Sequence, residues 1–536
     1  MLEDMLLKFG DPTALRVLVM LPIHTEERAE YLVRVLTEMK TRWNWQISII
    51  CADADREAYR HLTEPSGSLF NALDYSKAPH WERDPAAVAR IENNLAEAER
   101  ISGVPVGQLI LASQQTIGCG FVLPHLNLTP TALNKSVLAD NSVPDKIFLR
   151  MFGFAEEVLT AVRPDLFLAY EWQKPWRSSV WMAAARLDIP RVSIRLSKLN
   201  GDHYFWTSDR TLFNDLADDL AREKRRVKAP VSEIARGRIE GFRNRPLTVK
   251  YIREKWAMLG KKSWAKWHAD WVRAMLRQAA GMSTRRGMSG RTFGQLVEYN
   301  RKILQARQDR KYFHSFDDAA LSSMKYIYFP MHKETDLPMV MQAPRWHDQR
   351  NTIQVLAGAL PYGYRILARE HRMNMGARPS HYYDQLTKLP NVTLIDPFGD
   401  QFDYIRNASL VVTENGSTGW EALLFKRPVI AMSRTVYDGA DLSRKIVNQD
   451  EIGAEILKAI SGPALVNEEE HERRLGWMLD AEIESNFPMN LDRASEGADS
   501  LERHLSGRFP DSRMAHVETQ ISAPKDAGAV GSSDAA

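Results

Sequence analysis

Cysteine, charge excess of one sign and long hydrophobic runs are all scarce in this sequence. Its 536 residues include two cysteines, Cys51 and Cys119, which give neither a disulfide framework nor metal-site spacing, so we expect a reducing compartment. The net charge of +3 lacks the basic excess typical of nucleic-acid-binding proteins. We therefore expect no nucleic-acid partner.

A targeting or membrane-spanning pattern is also missing. Residues 1–20 include Glu3, Asp4, Lys8 and Asp11, which is unlike a signal peptide. No run approaches the roughly 18–20 apolar residues that a spanning helix needs, so we expect a cytoplasmic protein. Hydrophobic residues make up 44% and charged residues 26% of the chain, as in soluble globular proteins, and the length suits two domains with additions.

In the C-terminal half, apolar segments alternate with helix-length segments, which predicts a parallel sheet with crossover helices. The predicted strands are 325–332, 364–371, 389–396 and 408–413, and the predicted helices are 349–360, 380–388 and 400–406. Ligands of such sheets collect beyond the carboxyl ends of the strands. The residues at these ends are His332, Arg369, Glu370, His371 and the turn at 414–418.

The turn itself reads Glu414-Asn415-Gly416-Ser417-Thr418 and joins the fourth of these strands to a helix. Backbone N–H groups and the positive end of a helix dipole favour a phosphate at such a place. Glu421 lies one turn further on, within reach of a ribose hydroxyl. The alternative interpretation is that Ser417 and Thr418 only cap the helix, as Ser and Thr do in many proteins.

The N-terminal part shows a second doubly wound pattern. Predicted strands are 15–21, 45–51, 108–112, 166–170 and 191–196, and predicted helices follow Thr25 and span 84–101, 144–162 and 178–187. Asp84 is expected to cap its helix, with Pro85 at the first helical position. The fold class is therefore α/β, with two Rossmann-like domains.

A basic segment at 250–286 has a different character, because Trp256, Trp264, Trp267, Trp271 and Met275 share one helix face. Such a helix suits a membrane interface. The alternatives are packing on the domains and binding of single-stranded nucleic acid, and the balanced charge of the whole chain argues against the latter.

The segment 325–437 resembles the C-terminal half of the capsule polysaccharide biosynthesis proteins, which are GT-B glycosyltransferases. The matching motifs are Tyr328-Phe329-Pro330-x-His332, Glu370-His371, Pro390-Asn391-Val392, Thr413-x-Asn415-Gly416-Ser417, Glu421-Ala422 and Arg427-Pro428-Val429-Ile430. The resemblance implies that His371, Ser417 and Thr418 hold the phosphates of a nucleotide-sugar and that Glu421 binds its ribose. Related chains often have Lys-Glu-His-Pro where this chain has Arg369-Glu370-His371-Arg372, which leaves the donor open.

The resemblance also implies a domain plan, a GT-B-like pair of domains that face a cleft. We expect an N-terminal acceptor domain (1–221), a basic Trp-rich helical insertion (222–311), a nucleotide-sugar-binding domain (312–466), returning helices (467–505) and a disordered tail (506–536). The acceptor is expected to be a glycan or a lipid-linked glycan. Contact of 250–286 with lipid would place the protein at the inner face of the cytoplasmic membrane.

The expected chemistry is metal-independent sugar transfer in surface-polysaccharide synthesis, without a cofactor. Arg369 is expected to join the phosphate-binding groups in offsetting leaving-group charge, with Glu370, Glu414, Asn415 and Gly416 completing the donor site. Candidates for the general base are His332, Glu171 and His24. Three alternatives of the same fold remain, a nucleotide-sugar 2-epimerase, a polyol-phosphate transferase and a non-catalytic assembly factor.

Overall fold

A computed structural model describes most of the chain. The described residues are 14–20, 26–51, 56–71, 74, 79–112, 143–173, 175–201, 203–208, 212–246, 272, 304–332, 337–376, 378, 381–446 and 448–506. His24, the tail beyond 506 and all of the segment 250–286 except Val272 lie outside them, so the predictions about these residues stay predictions.

The described strands build two sheets. In chain order they are β1 (Arg16–Met20), β2 (Gln46–Cys51), β3 (Leu69–Asn71), β4 (Leu166–Tyr170), β5 (Arg191–Leu196), β6 (His203–Thr207), β7 (Tyr326–Pro330), β8 (Arg365–Arg369), β9 (Val392–Ile395), β10 (Leu410–Thr413), β11 (Val429–Ala431), β12 (Arg444–Lys445) and β13 (Phe487–Pro488). The first sheet has the order β13-β6-β5-β4-β1-β2-β3, and the second has the order β12-β11-β10-β7-β8-β9. Pairing is parallel except where β6 meets β5 and β13.

Both sheets have the same winding. From β3 to β6 and from β9 to β12, each follows the order 3-2-1-4-5-6 of a Rossmann sheet when its strands are numbered from its own first strand. The order reverses between β1 and β4 in the first sheet and between β7 and β10 in the second. These two reversals are called the first and the second switch point below. The predicted α/β class, with two doubly wound sheets on a GT-B-like plan, is confirmed; the basic insertion of that prediction lies mostly outside the described residues.

Helices flank both sheets. The described α-helices are α1 (Glu26–Trp43), α2 (Arg56–Thr63), α3 (Pro85–Ser102), α4 (Val106–Ala112), α5 (Val143–Val162), α6 (Pro175–Arg186), α7 (Asp215–Arg226), α8 (Glu233–Asn244), α9 (Asp318–Ser323), α10 (Leu337–Gln342), α11 (Gln349–Gly358), α12 (Tyr382–Thr387), α13 (Gln401–Asn407), α14 (Thr418–Leu424), α15 (Ile452–Ser461), α16 (Glu468–Ser485) and α17 (Ala494–Ser506). None of the helices in the described ranges is long and apolar enough to cross a membrane.

Local sequence signals account for many element boundaries. The Asp84 carboxylate accepts a hydrogen bond from Ala86 N, and Pro85 opens α3, as predicted. Asp348 and Asp400 cap α11 and α13 in the same way. The strands β4 and β5 have the predicted bounds. Strand β4 is an apolar run buried on both faces, and β5 is buried over its four central residues.

The predicted strand at 108–112 is wrong, because this segment belongs to α4. The amides of Gln108 and Leu109 donate to Pro105 O, and Val106 N donates to the Glu99 carboxylate, so a proline turn and a cap start a helix. A short apolar run has no periodicity that separates strand from helix. The burial of Leu109 and Ile110 suits either structure.

The end of the described chain returns to the first sheet. Strand β13 pairs with β6, and α17 packs against α1 and β6. Trp206 Nε1 donates to Gly497 O at 3.1 Å. A Cβ atom at Gly497 would lie 2.4 Å from Tyr31 Oη, so glycine permits this close approach. Helix α16 packs against α7 and α8, which lie between the two sheets in the chain. The domain boundaries stay predictions.

Candidate functional site at the second switch point

The second switch point brings together the ends of β7 and β10. Both strands are buried, apolar and rich in β-branched or aromatic residues, so they form the centre of the sheet. His332 follows β7 by two residues, and Glu414 follows β10 directly. Met331 N donates to Arg369 O at 2.8 Å, which extends the pairing of β7 with β8 to the edge of the site.

His332 is held from three sides. Its amide donates to Gln349 Oε1 at 2.9 Å, and its carbonyl accepts from Asn374 Nδ2 at 3.1 Å. Gln349 is fully buried and also donates through Nε2 to Glu414 Oε1. The second oxygen of Glu414 lies 3.7 Å from His332 Nε2, while the imidazole is 20% exposed. Gln349 thus ties the two strand ends together and leaves one side of the ring open.

The imidazole of His332 is neutral at neutral pH. Burial lowers its pKa to about 3, and the positive charges of His371 and Lys198 act in the same direction. Loss of hydration is the largest cause of this shift. A neutral imidazole has one unprotonated nitrogen, which is what a general base requires.

The turn at 414–418 approaches His332 closely at Gly416. A Cβ atom at Gly416 would lie 2.9 Å from His332 Cε1 and 3.1 Å from Thr413 Oγ1, so only glycine fits here without displacement. Gly416 N donates to Thr413 Oγ1 at 3.2 Å, which holds the turn on its own strand. The glycine and the imidazole therefore line one space.

Helix α14 begins directly after this turn. Ser417 occupies the N-cap position, and among the described residues its side chain makes no capping hydrogen bond. Ser417 and Thr418 are partly exposed. The interpretation that the Ser417 hydroxyl only caps the helix therefore does not describe its geometry. Asn415 is 2% exposed, and its Nδ2 donates to Gln342 Oε1 of α10 at 3.3 Å.

Glu421 lies in the first turn of α14 and is 9% exposed. Its Oε2 accepts from Gln401 Nε2 at 2.8 Å. Burial raises the pKa of Glu421 to about 7, although Arg369 and Gln401 act against this shift. The carboxyl group is therefore divided between its neutral and ionised forms near neutral pH, and both forms can hydrogen-bond a hydroxyl.

Arg369 and Arg372 hold the loop that follows β9. Arg369 donates to Gln401 Oε1 and to the carbonyls of Pro397 and Gly399 at 2.7–2.9 Å. Arg372 donates to the carbonyls of Pro397, Phe398 and Gly399. Arg372, where related chains often have proline, thus holds the 397–399 loop together with Arg369. The terminal nitrogens of Arg369 are engaged by this loop, which differs from the expected role in offsetting leaving-group charge.

Glu370 is the centre of a buried ion-pair network. Its carboxylate pairs with Arg378 at 2.7 Å, with both side chains fully buried. It also accepts from His371 N, Asn374 Nδ2 and Tyr383 Oη at 2.6–3.0 Å. These five donated hydrogen bonds, two of them from Arg378, occupy the lone pairs that a donor hydroxyl would need. Its geometry supports a loop-holding role, not the expected contact with the donor.

His371 follows β8, which is the neighbour of β7 on the side away from β10. Its amide donates to Glu370, its carbonyl accepts from Asn374 N, and the residue is partly exposed. Its charge reaches the imidazole of His332. The turn at 414–418 and His371 therefore lie at one edge of the sheet, with His332 between them.

The first switch point carries Glu171, which follows β4. Glu171 has a left-handed backbone (φ 46°), and its amide donates to Ile194 O at 3.2 Å. The guanidinium of Arg177, 3% exposed, donates to the carbonyls of Tyr170 and Glu171. The other candidate base predicted in this sheet, His24, lies outside the described residues.

Several side chains that shape the site had no sequence signal. Gln349 and Gln401 lie in the first turns of α11 and α13, and Asn374 and Arg378 follow His371. Lys198 follows β5 of the first sheet, and its charge acts on His332. Its position at a strand end already indicates a contact with an anionic acceptor or donor sugar. Among the described residues, no group of three or more His, Cys, Asp or Glu side chains could hold a metal ion.

No family model matches the sequence, and no curated protein matches it. Among solved structures, the chain is similar to KpsC, the beta Kdo 2,7 transferase of Thermosulfurimonas dismutans (11% identity over 65% of this chain and 88% of that chain, TM-score 0.29). It is also similar to CalG4, the calicheamicin glycosyltransferase (12% identity over 92% of this chain and 99% of that chain, TM-score 0.27). A third similar structure is the UDP-GlcNAc 2-epimerase of Neisseria meningitidis bound to UDP-GlcNAc (12% identity over 95% of this chain and 100% of that chain, TM-score 0.27). At these identities and TM-scores, the similarity says nothing about the activity of this chain.

Proposed function

We propose that this protein is a metal-independent glycosyltransferase that moves a sugar from a nucleotide-sugar to a glycan or lipid-linked glycan in capsule or other surface-polysaccharide synthesis. One observation carries the proposal. A neutral, partly exposed imidazole lies against the glycine of a Gly-Ser-Thr turn at the second switch point. Open α/β sheets bind their ligands at such reversals of strand order.

In this proposal the donor phosphates bind at Gly416, Ser417 and Thr418, beside His371. The hydroxyls and backbone amides of the turn supply uncharged donors, and a protonated His371 supplies charge. Glu421 accepts from the ribose. Glu414 and Asn415 do not need to touch the donor, because their hydrogen bonds to Gln349 and Gln342 already hold the walls of the turn.

The sugar transfer needs one proton acceptor. His332 is the candidate in the second sheet, since its ring lies against the Gly416 turn, is partly exposed and is unprotonated at neutral pH. The acceptor hydroxyl gives its proton to the imidazole, its oxygen bonds to the anomeric carbon, and the bond from that carbon to the phosphate oxygen breaks. The nucleotide leaves with the electron pair of that bond. Glu171 and His24, at the first switch point, are the alternative bases.

No cofactor takes part in the proposed reaction, and the nucleotide-sugar is a substrate. The acceptor is proposed to bind at the carboxyl edge of the first sheet, which faces the second across the cleft. The segment 250–286 is proposed to contact the inner face of the cytoplasmic membrane, as a helix with a basic surface and a Trp stripe would. Loss of liposome binding after replacement of Trp264, Trp267 and Trp271 by Ala would support this part.

A panel of nucleotide-sugars tests the reaction. Release of free nucleotide that depends on an acceptor supports transfer. An isomerised donor supports the 2-epimerase, release of a nucleoside monophosphate from a polyol donor supports the polyol-phosphate transferase, and binding without turnover supports the assembly factor.

A matched pair of variants tests the location of the donor. His371→Asn should abolish measurable nucleotide binding with a nearly unchanged melting temperature. His381→Asn is the control, because His381 is 79% exposed and its partner is Asp384. Its left-handed backbone also suits asparagine. Equal nucleotide affinity in the two variants would contradict the proposed donor site.

A further inference from the structure

The turn that follows β5 in the first sheet is held rigidly. Ser197 Oγ donates to Glu482 Oε2 at 2.6 Å and accepts from the amides of Leu199 and Asn200 at 3.2 and 3.0 Å. Ser197 N donates to His203 O at 2.8 Å, which closes the turn onto β6. Four hydrogen bonds therefore fix the backbone on both sides of Lys198.

Glu482 anchors this turn from the returning helix α16. It is 2% exposed, and its carboxylate also accepts from Asn214 Nδ2 at 3.3 Å and from Asn486 Nδ2 at 2.7 Å. Burial raises the pKa of Glu482 to about 7. A buried carboxyl group with three hydrogen-bond donors is a positioning residue, since it fixes the place of the Ser197 hydroxyl without reaching the cleft.

The same turn reaches the second sheet. Leu199 packs against a hydrophobic cluster that spans α7, α8 and the second sheet and includes Trp420 of α14 and Tyr437. Tyr437 is the side chain that a Cβ atom at Gly419 would strike. Lys198 precedes Leu199, is partly exposed, and lies near enough for its charge to act on the imidazole of His332. A lysine of the first sheet is thus presented at the second switch point.

We propose that Lys198 binds an oxyanion of the ligand held at the second switch point, so that the ligand is gripped from both sheets. The inference rests on the proposed function, because the anion is either the leaving phosphate of the donor or a carboxylate of the transferred sugar. A lysine ammonium is a compact charge that suits a tetrahedral phosphate as well as a carboxylate. A ligand that bridges Lys198 and the Gly416 turn links the two sheets only while it is bound.

The test uses the full chain and calorimetric titration with UDP, CMP, uridine and cytidine. The variants are Lys198→Met, Lys198→Arg and, as control, Lys458→Met, because Lys458 is an exposed lysine of α15 paired with Glu455. We expect Lys198→Met to bind the ligand that carries the recognised anion about tenfold or more weakly than the wild type does. Lys198→Arg should recover most of that affinity, and Lys458→Met should bind with the affinity of the wild type. Affinity for the nucleoside should not change.

A second arm distinguishes the two anions. UDP-glucuronate and UDP-glucose differ in a carboxylate, so a Lys198→Met loss that appears only with UDP-glucuronate assigns Lys198 to the sugar. A loss that appears already with UDP or CMP assigns it to the phosphate. Unchanged affinity for every ligand would overturn the inference, as would an equal loss for nucleotides and nucleosides. A wild-type chain that binds none of these nucleotides would instead overturn the proposed function.

Discussion

The two switch points share a strand order and differ in what their polar groups do. At the first, Arg177 donates to the carbonyls of Tyr170 and Glu171, so its charge holds the backbone of its own strand end. At the second, Gln349 holds the backbone of His332 and the carboxylate of Glu414, and the imidazole keeps one open side. The same topology therefore gives a strand end whose carbonyls are held by a buried guanidinium in one sheet, and a strand end whose imidazole is partly exposed in the other.

This difference teaches that strand order locates a cleft but does not supply its chemistry. Chemistry at the second switch point depends on a close approach, that of Gly416 to His332, and on burial that keeps the ring neutral. Under the proposal for Lys198, the first sheet adds a cation from the turn that follows β5. Four predictions break or sharpen this comparison.

The largest expected effect is a loss of stability when Glu370, which follows β8, is replaced, and it is compared with the replacement of Glu171, which follows β4. Glu370→Gln leaves the fully buried Arg378 without its counter-ion, so we expect a loss of about 3 kcal/mol in the free energy of unfolding. Glu171→Gln, in a partly exposed position, should change it by less than about 0.5 kcal/mol. Urea unfolding measures both. A stable Glu370→Gln variant that fails to bind nucleotide would restore Glu370 to the donor site.

The packing of α14 gives the next effect. A Cβ atom at Gly419 would lie 1.8 Å from Tyr437 Oη, so Gly419→Ala should lower the free energy of unfolding by about 2–3 kcal/mol. Tyr437→Phe in the same chain removes the nearest atom and should recover part of the loss. Gly358→Ala has open space around its Cβ position and serves as control. If the changes in unfolding free energy of Gly419→Ala and Tyr437→Phe simply added in the double variant, the added methyl group would not collide with the Tyr437 hydroxyl.

The buried carboxyl group of Glu482, which holds the turn after β5, should make the stability of the protein pH-dependent. Burial raises the pKa of Glu482 to about 7 from an ordinary value of 4.5. The folded state then binds more protons than the unfolded state between these values, so this contribution to stability is present below about pH 4.5 and is lost as pH rises through 7. Glu482→Gln should reduce the loss of stability from pH 5 to pH 8 by on the order of 2 kcal/mol. If Glu482→Gln and the wild type showed the same pH dependence in urea unfolding, the raised pKa of Glu482 would be contradicted.

The smallest effect concerns the turn itself. Gly416→Ala pushes a methyl group against His332 Cε1, so we expect nucleotide affinity to fall about tenfold, or roughly 1.4 kcal/mol. Gly107→Ala, in a helix of the first sheet with open space around its Cβ position, should leave affinity unchanged. Calorimetric titration measures both. Full affinity in Gly416→Ala would place the donor away from this turn.

Much of the second sheet could be predicted because its signals are local. The apolar run at Tyr326–Pro330 and the caps at Asp348 and Asp400 need only neighbouring residues to act. The short β13 was missed, since its pairing with β6 joins residues far apart in the chain. The antiparallel β6 was missed although it pairs with the preceding strand β5. The α4 segment was mistaken for a strand, because its short apolar run at 109–112 fits either structure.

The sequence by itself determined the two doubly wound sheets and the strand ends where polar residues gather, because hydrophobic period and turn residues act over a few positions. Only the tertiary structure decided what each polar residue at those ends does. Glu370 became the partner of Arg378, Arg369 a clamp on the 397–399 carbonyls, and His332 a neutral ring. The physical reason is that a hydrogen-bond partner and a degree of burial belong to the folded neighbourhood, which strands distant in the chain assemble.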